Sequence, residues 1–79
     1  MREEVLNLII EKGAYIWGKD VSELSENTTF DEMNAKSAHL TSIIVVLENE
    51  FDAMINYIDF KKCKTLGEAA DYVVDCMED

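Results

Sequence analysis

Ser37 lies where an amphipathic stretch begins, between Lys36 and Ala38 and two residues before the only histidine, His39. Serine is among the preferred helix N-caps, and the pattern predicts that role for Ser37. The same place suits chemistry. A hydroxyl at a helix start is exposed near the positive end of the dipole, so free backbone N–H groups would stabilise a phosphodiester built on it. Lys36 adds a positive charge. Ser–His hydrolysis is a poor fit, because side chains two apart on a helix do not face each other. No Gly-x-Ser-x-Gly elbow is present either. His39 is therefore read as a surface residue near a partner interface.

The remaining reactive residues form no catalytic or metal constellation. Cys63 and Cys76 lack metal-ligand spacing and a second pair. They read as two free thiols of a reducing compartment, one semi-buried and one at a frayed end, with a single disulfide between them as the alternative. The seventeen carboxylates show nowhere the alternation, central glycine and final glutamate of an EF-hand, so a solvated acidic surface is expected and no metal site. Tyr15 and Trp17 are read as ending a helix or filling a core edge. With no nucleophile–base pair visible, an enzyme is not expected.

The elements that would position Ser37 are helical. The chain has no proline and three glycines, Gly13, Gly18 and Gly67, a composition that favours helices. A first helix is predicted over about Arg2–Ile16, with a stripe of Val5, Leu8, Ile9, Lys12 and Ile16 and a stop at Gly18. Gly18 to Lys36 reads as a long ordered loop pinned by Leu24, Phe30 and Met33, with a short helical turn near Val21–Leu24. A second helix is predicted from about Ala38 to Glu50. Leu40, Ile43, Ile44, Leu47 and Phe51 form its buried stripe, and Ala38, Thr41, Ser42, Val45 and Asn49 face solvent. After an Asp52–Tyr57 connection, a short segment is predicted around Ile58–Cys63. The last helix opens at Thr65, with Glu68 completing a capping box, and buries Leu66, Ala69, Ala70, Val73 and Val74 to about Met77. The fold class is all-α: a small four-helix bundle of three main helices and one short one.

Seventy-nine residues make one domain, 1–79, with a modest core and little room for a deep cleft. The net charge of −10 disfavours nucleic acid and anionic membranes and favours basic partner surfaces. A hydrophobic fraction of 48% is too high for an acidic disordered tail. The first ten residues have neither a signal-peptide layout nor the length of a membrane span. A soluble, cytoplasmic monomer without membrane insertion is expected.

Taken in order, these pieces resemble the acyl carrier protein family. There, a loop leads into Asp-Ser-Leu, the serine starts the second helix, and that helix ends in Leu-Glu-x-Glu-Phe. Leu47-Glu48-Asn49-Glu50-Phe51 matches this ending, and Ser37 stands at the family's distance before it. Phe51-Asp52 followed by Ile55 is similar to the family's Phe-Asp-x-x-Ile. Thr65 to Val73 resembles the opening of its fourth helix, and Leu24 to Phe30 its loop. The resemblance covers essentially the whole chain.

The resemblance implies a four-helix bundle whose serine, here Ser37, receives 4'-phosphopantetheine from coenzyme A through a phosphopantetheinyl transferase. The arm's thiol would then hold acyl groups as thioesters in fatty acid, lipid or secondary-metabolite synthesis, and the protein itself would catalyse nothing. Acyl-transferring and acyl-modifying enzymes are the implied partners. Lys36, Ala38, His39, Thr41, Val45 and Glu48 are the implied recognition residues. The chain departs from the family at Lys36 (Asp), Ala38 (Leu), His39 (an acid) and Asn34 (Gly). The loop before Ser37 is about one residue shorter, and Ser42 and Asn49 stand where acids are common. Fewer acids on the second helix imply weaker steering to basic patches and a specialised carrier with fewer partners. The altered Lys36-Ser37-Ala38 keeps a second reading open: an unmodified acyl-carrier-like interaction module.

Overall fold

The computed structural model describes residues 1–77. Four α-helices follow one another: α1 Arg2–Trp17, α2 Ser37–Phe51, α3 Tyr57–Lys62 and α4 Leu66–Met77. A 3-10 turn, Val21–Glu23, lies in the loop between α1 and α2. Among the described residues the one strand-like pairing is an isolated antiparallel bridge between Thr29 and Thr65. The all-α bundle expected from the sequence is the observed architecture.

The helix α1 carries Glu3 and Glu4 in its first turn and stops at Gly18, which adopts a left-handed conformation with φ 67°. The N–H groups of Gly18 and Lys19 both donate to the Ala14 carbonyl, closing the end as the sequence indicates. Its buried line differs from the expected stripe. Val5, Ile9, Gly13 and Ala14 are buried, while Leu8, Lys12 and Ile16 are only half-buried. Trp17 is the cause. Its ring folds back over Gly13, where a Cβ would lie 2.6 Å from the indole. Tyr15 does not fill a core edge: it is 81% exposed, with the Lys12 ammonium 5.2 Å from its ring centroid.

The loop from Gly18 to Lys36 is long but its backbone is satisfied, which is the condition for an ordered loop. Asp20 accepts from the Ser22 N–H while Glu23 accepts from the Asp20 N–H. These bonds to Ser22 hold the Asp20 carboxyl below its ordinary value. Thr29 and Glu32 exchange the same kind of reciprocal bonds. Leu24 and Phe30 are buried and Met33 half-buried, so the expected pins are in place. Three backbone bonds staple the loop to the start of α4: Phe30 N–H to Lys64 O, Leu66 N–H to Thr28 O and Gly67 N–H to Glu26 O.

At the start of α4, Thr65 Oγ1 accepts from the Glu68 N–H at 3.0 Å. The Glu68 carboxylate reaches one residue further back than a capping box requires, to the Lys64 N–H. Gly67 meets the loop so closely that a Cβ would stand 3.0 Å from both Glu26 Cβ and Glu26 O. Glu26 cannot retreat without lengthening the 2.9 Å bond from Gly67 N–H. Gly67→Ala is therefore expected to lower stability by about 1 kcal/mol, overpacking outweighing alanine's helix advantage. Urea titration checks this, and a raised midpoint would contradict it.

The core gathers Val5 and Ile9 of α1, Ile43 and Leu47 of α2, Phe60 of α3 and Leu66 and Val73 of α4, each at 0% exposure. The helix α3 begins one residue earlier than the sequence suggests. Asn56 caps it by accepting from the Asp59 N–H, and Tyr72 Oη of α4 accepts from the Asn56 N–H. The terminal helices are further joined through Arg2, which bonds Asp71 of α4 and Glu26 of the loop.

Candidate functional site

The start of α2 is built differently from the sequence expectation. The helix spans Ser37–Phe51, one residue more at each end than predicted, and its N-cap is Lys36, not Ser37. Lys36 is extended, with φ −107° and ψ 166°. A lysine ammonium cannot accept a hydrogen bond, so the cap is one-sided: His39 Nδ1 accepts from the Lys36 N–H at 3.1 Å. The imidazole occupies the position a glutamate takes in a capping box. Ser37 thus opens the helix as its first residue. Its hydroxyl is exposed and makes no hydrogen bond among the described residues.

His39 is not a free surface residue. It is half-buried, and its Nδ1 also accepts from Trp17 Nε1 of α1 at 3.2 Å. The two rings meet edge to face with centroids 6.3 Å apart. Trp17 in turn meets Phe30 edge-on, and Phe30 meets Phe60 at 5.9 Å. An aromatic line thus runs from the start of α2 through the loop to α3. The loop's approach to Ser37 turns at Asn34, whose φ is 53°. Asparagine is among the few side chains that tolerate this conformation.

Lys36, Ala38, Thr41 and Val45 are exposed, so four of the six residues expected to meet partners lie on the surface of α2 and its cap. Glu48 is turned to the chain's own use. It is half-buried, and its carboxylate accepts from the Ile55 N–H at 3.2 Å, holding the α2–α3 connection. Two residues that sequence reasoning did not single out extend this surface: Met54 is 88% exposed and Ile58 62%. For Met54 the available signal was an apolar residue in a turn-rich connection; Ile58 lies on α3, too short for a periodic pattern to show its exposure. An open groove of about 280 Å³ lies beside them, lined by Glu48, Met54, Ile55 and Asn56.

The arrangement fits a phosphodiester on Ser37. The hydroxyl points to no competing partner, the first-turn N–H groups of α2 are available, and that turn carries no acidic residue to repel an anion. The cysteines offer no alternative nucleophile. Burial, followed by the Glu68 and Asp59 carboxylates, pushes the Cys63 thiol up, which suppresses its thiolate. Cys76 is half-buried in the last turn of α4. Among the described residues, no three His, Cys, Asp or Glu side chains gather as a metal site, and no helix is long and apolar enough to cross a membrane.

Comparison with known proteins agrees with this geometry. The family model for the phosphopantetheine attachment site matches residues 7–73. An acyl carrier protein of Chlamydia felis is 40% identical over 57 residues, covering 71% of this chain and 73% of that protein. One of Chlamydia caviae is 32% identical over 74 residues, covering 92% and 91%. One of Lactobacillus acidophilus is 36% identical over 72 residues, covering 90% of each. The family's members interact with phosphopantetheinyl transferases and acyl-handling enzymes. Sequence, helical order and an open serine at the head of α2 converge: the chain belongs to the acyl carrier protein family, which bears acyl groups on a covalent 4'-phosphopantetheine and leaves catalysis to other proteins.

Proposed function

We propose that Ser37 is the attachment point of the arm, and that the exposed side of α2 with Met54 and Ile58 is the surface its enzymes read. One observation carries this reading: Ser37 is an exposed first-turn serine whose hydroxyl no other group engages. The phosphate would lie against the α2 N-terminus with Lys36 beside it, while the arm's thiol supplies thioester chemistry. Tethering raises the acyl group's effective concentration at each partner. The cytoplasm, where coenzyme A-dependent transferases act, is the proposed location.

The face around Ser37 argues for a specialised carrier in fatty acid, lipid or secondary-metabolite synthesis. From Ala38 to Val45 it presents no carboxylate, and Glu48 is engaged internally. Attraction to a basic enzyme patch then rests on the overall charge of −10 rather than on local pairs, and contact at Val45, Met54 and Ile58 is apolar. Salt should then slow the encounter, which the overall charge steers, more than it weakens the apolar contact once made.

The test is the intact mass after incubation with coenzyme A, magnesium and a phosphopantetheinyl transferase from the same source. The wild type is expected to gain one phosphopantetheine and Ser37→Ala none. Ser37→Ala should melt like the wild type, because the hydroxyl it removes makes no bond. No gain in the wild type, with the transferase active on another carrier, would favour the unmodified interaction module.

A further inference from the structure

The nitrogen Nδ1 of His39 joins the turn before Ser37 to the end of α1. It receives the Lys36 N–H, on the residue directly preceding Ser37, at 3.1 Å. It also receives the indole N–H of Trp17, from the far end of α1, at 3.2 Å. No side-chain oxygen caps this helix. The donor is itself fixed in place: Trp17 lies over Gly13, where any Cβ would collide with its ring at 2.6 Å, and against Phe30. Gly13, Trp17 and His39 therefore form a continuous support that ends at the Lys36 amide.

We infer that His39 is a positioning residue for transfer of the arm to Ser37, acting as a neutral imidazole with its proton on Nε2. This rests on the reading of Ser37 as the attachment point. Both contacts are N–H donors aimed at one lone pair, so a proton on Nδ1 removes the acceptor and sets three N–H groups against one another. The groups that meet the imidazole are the uncharged indole of Trp17 on α1 and the Lys36 backbone on its own turn. The Lys36 ammonium is the charged group of that turn, which carries no acid to hold an imidazolium. Loss of the bond frees the first turn of α2, and Ser37 then reaches the transferase's geometry only part of the time. A carrier populated for fraction f in the competent form binds with its apparent constant raised by 1/f. The effect therefore falls on KM and leaves kcat unchanged.

The experiment measures transfer kinetics by intact mass for the wild type, His39→Ala, His39→Asn and Trp17→Phe, each checked for helical content. His39→Ala is expected to raise KM about tenfold, the scale on which losing one cap shifts a helix start. Asparagine places Oδ1 near the position of Nδ1 and accepts without titrating, so His39→Asn should restore KM. Trp17→Phe, which keeps a ring but loses the donor, should fall between. The tautomer itself is read from the imidazole nitrogen shifts. A wild-type KM in His39→Ala, or a folded His39→Asn that behaves like His39→Ala, overturns the inference while leaving the Ser37 reading intact. No mass gain in the wild type overturns both.

Discussion

Truncating Phe60 to alanine is expected to cost about 3–5 kcal/mol, the range for a large buried aromatic. Phe60 is fully buried on a helix of six residues. So short a helix has too few backbone bonds to persist alone, and Phe60 is the fully buried side chain that holds it to the core. Its ring lies 5.9 Å from that of Phe30, tilted by 56°. Removing it leaves a cavity and detaches both α3 and one link of the aromatic line toward Trp17. At a typical 0.05–0.15 kcal/mol per residue, a chain of 79 residues has about 4–12 kcal/mol in total. The variant should therefore lose a third or more of a mid-range stability and unfold at a much lower urea concentration. Urea unfolding followed by circular dichroism gives the answer, and a midpoint equal to the wild type's would refute the place assigned to Phe60.

Leu47→Ala is the second large effect, at about 2–5 kcal/mol. Leu47 is fully buried on α2. Val45, two residues earlier, is 47% exposed, because two steps rotate a helix by about 200°. Val45→Ala should change stability by about 0.5 kcal/mol or less, as surface substitutions do. The contrast is more decisive than either value. It separates the face of α2 that holds the bundle together from the face proposed to meet enzymes. Equal losses for the two variants would mean that α2 is rotated from the arrangement described.

Much of this fold was legible because helices announce themselves by period. The stripe of Leu40, Ile43, Ile44 and Leu47 is buried as read, and the solvent face from Ala38 to Asn49 is exposed. The stop at Gly18 and the cap at Thr65 are local devices, and both stand where local chemistry places them. Phe60 was missed because six residues span fewer than two turns, too few for a period to show. On α1, Val5 and Ile9 are buried as read, while Gly13 was left out of the stripe because Trp17 folding over it is a packing event that periodicity does not encode. The cap of α2 was misjudged for a related reason. Serine's propensity named Ser37, but a histidine anchored by a tryptophan 22 residues away decided the matter. That displaced cap leaves the Ser37 hydroxyl uncommitted. Had Ser37 capped the helix itself, its hydroxyl would already be engaged with a backbone N–H.

The mutual packing of α1 and α4 has a consequence for the time course of folding. The helix α1 packs chiefly against α4, the most distant of the four in sequence, and Arg2 bonds Asp71 across nearly the whole sequence. Contacts so distant in sequence slow folding relative to a bundle of neighbouring hairpins. The staple from Glu26, Thr28 and Phe30 to Lys64, Leu66 and Gly67 likewise waits for the chain's second half. Until α4 docks, α2 is held by α1 and α3 alone and the loop before it lacks its staple, so the surroundings of Ser37 should be completed in the last step of folding.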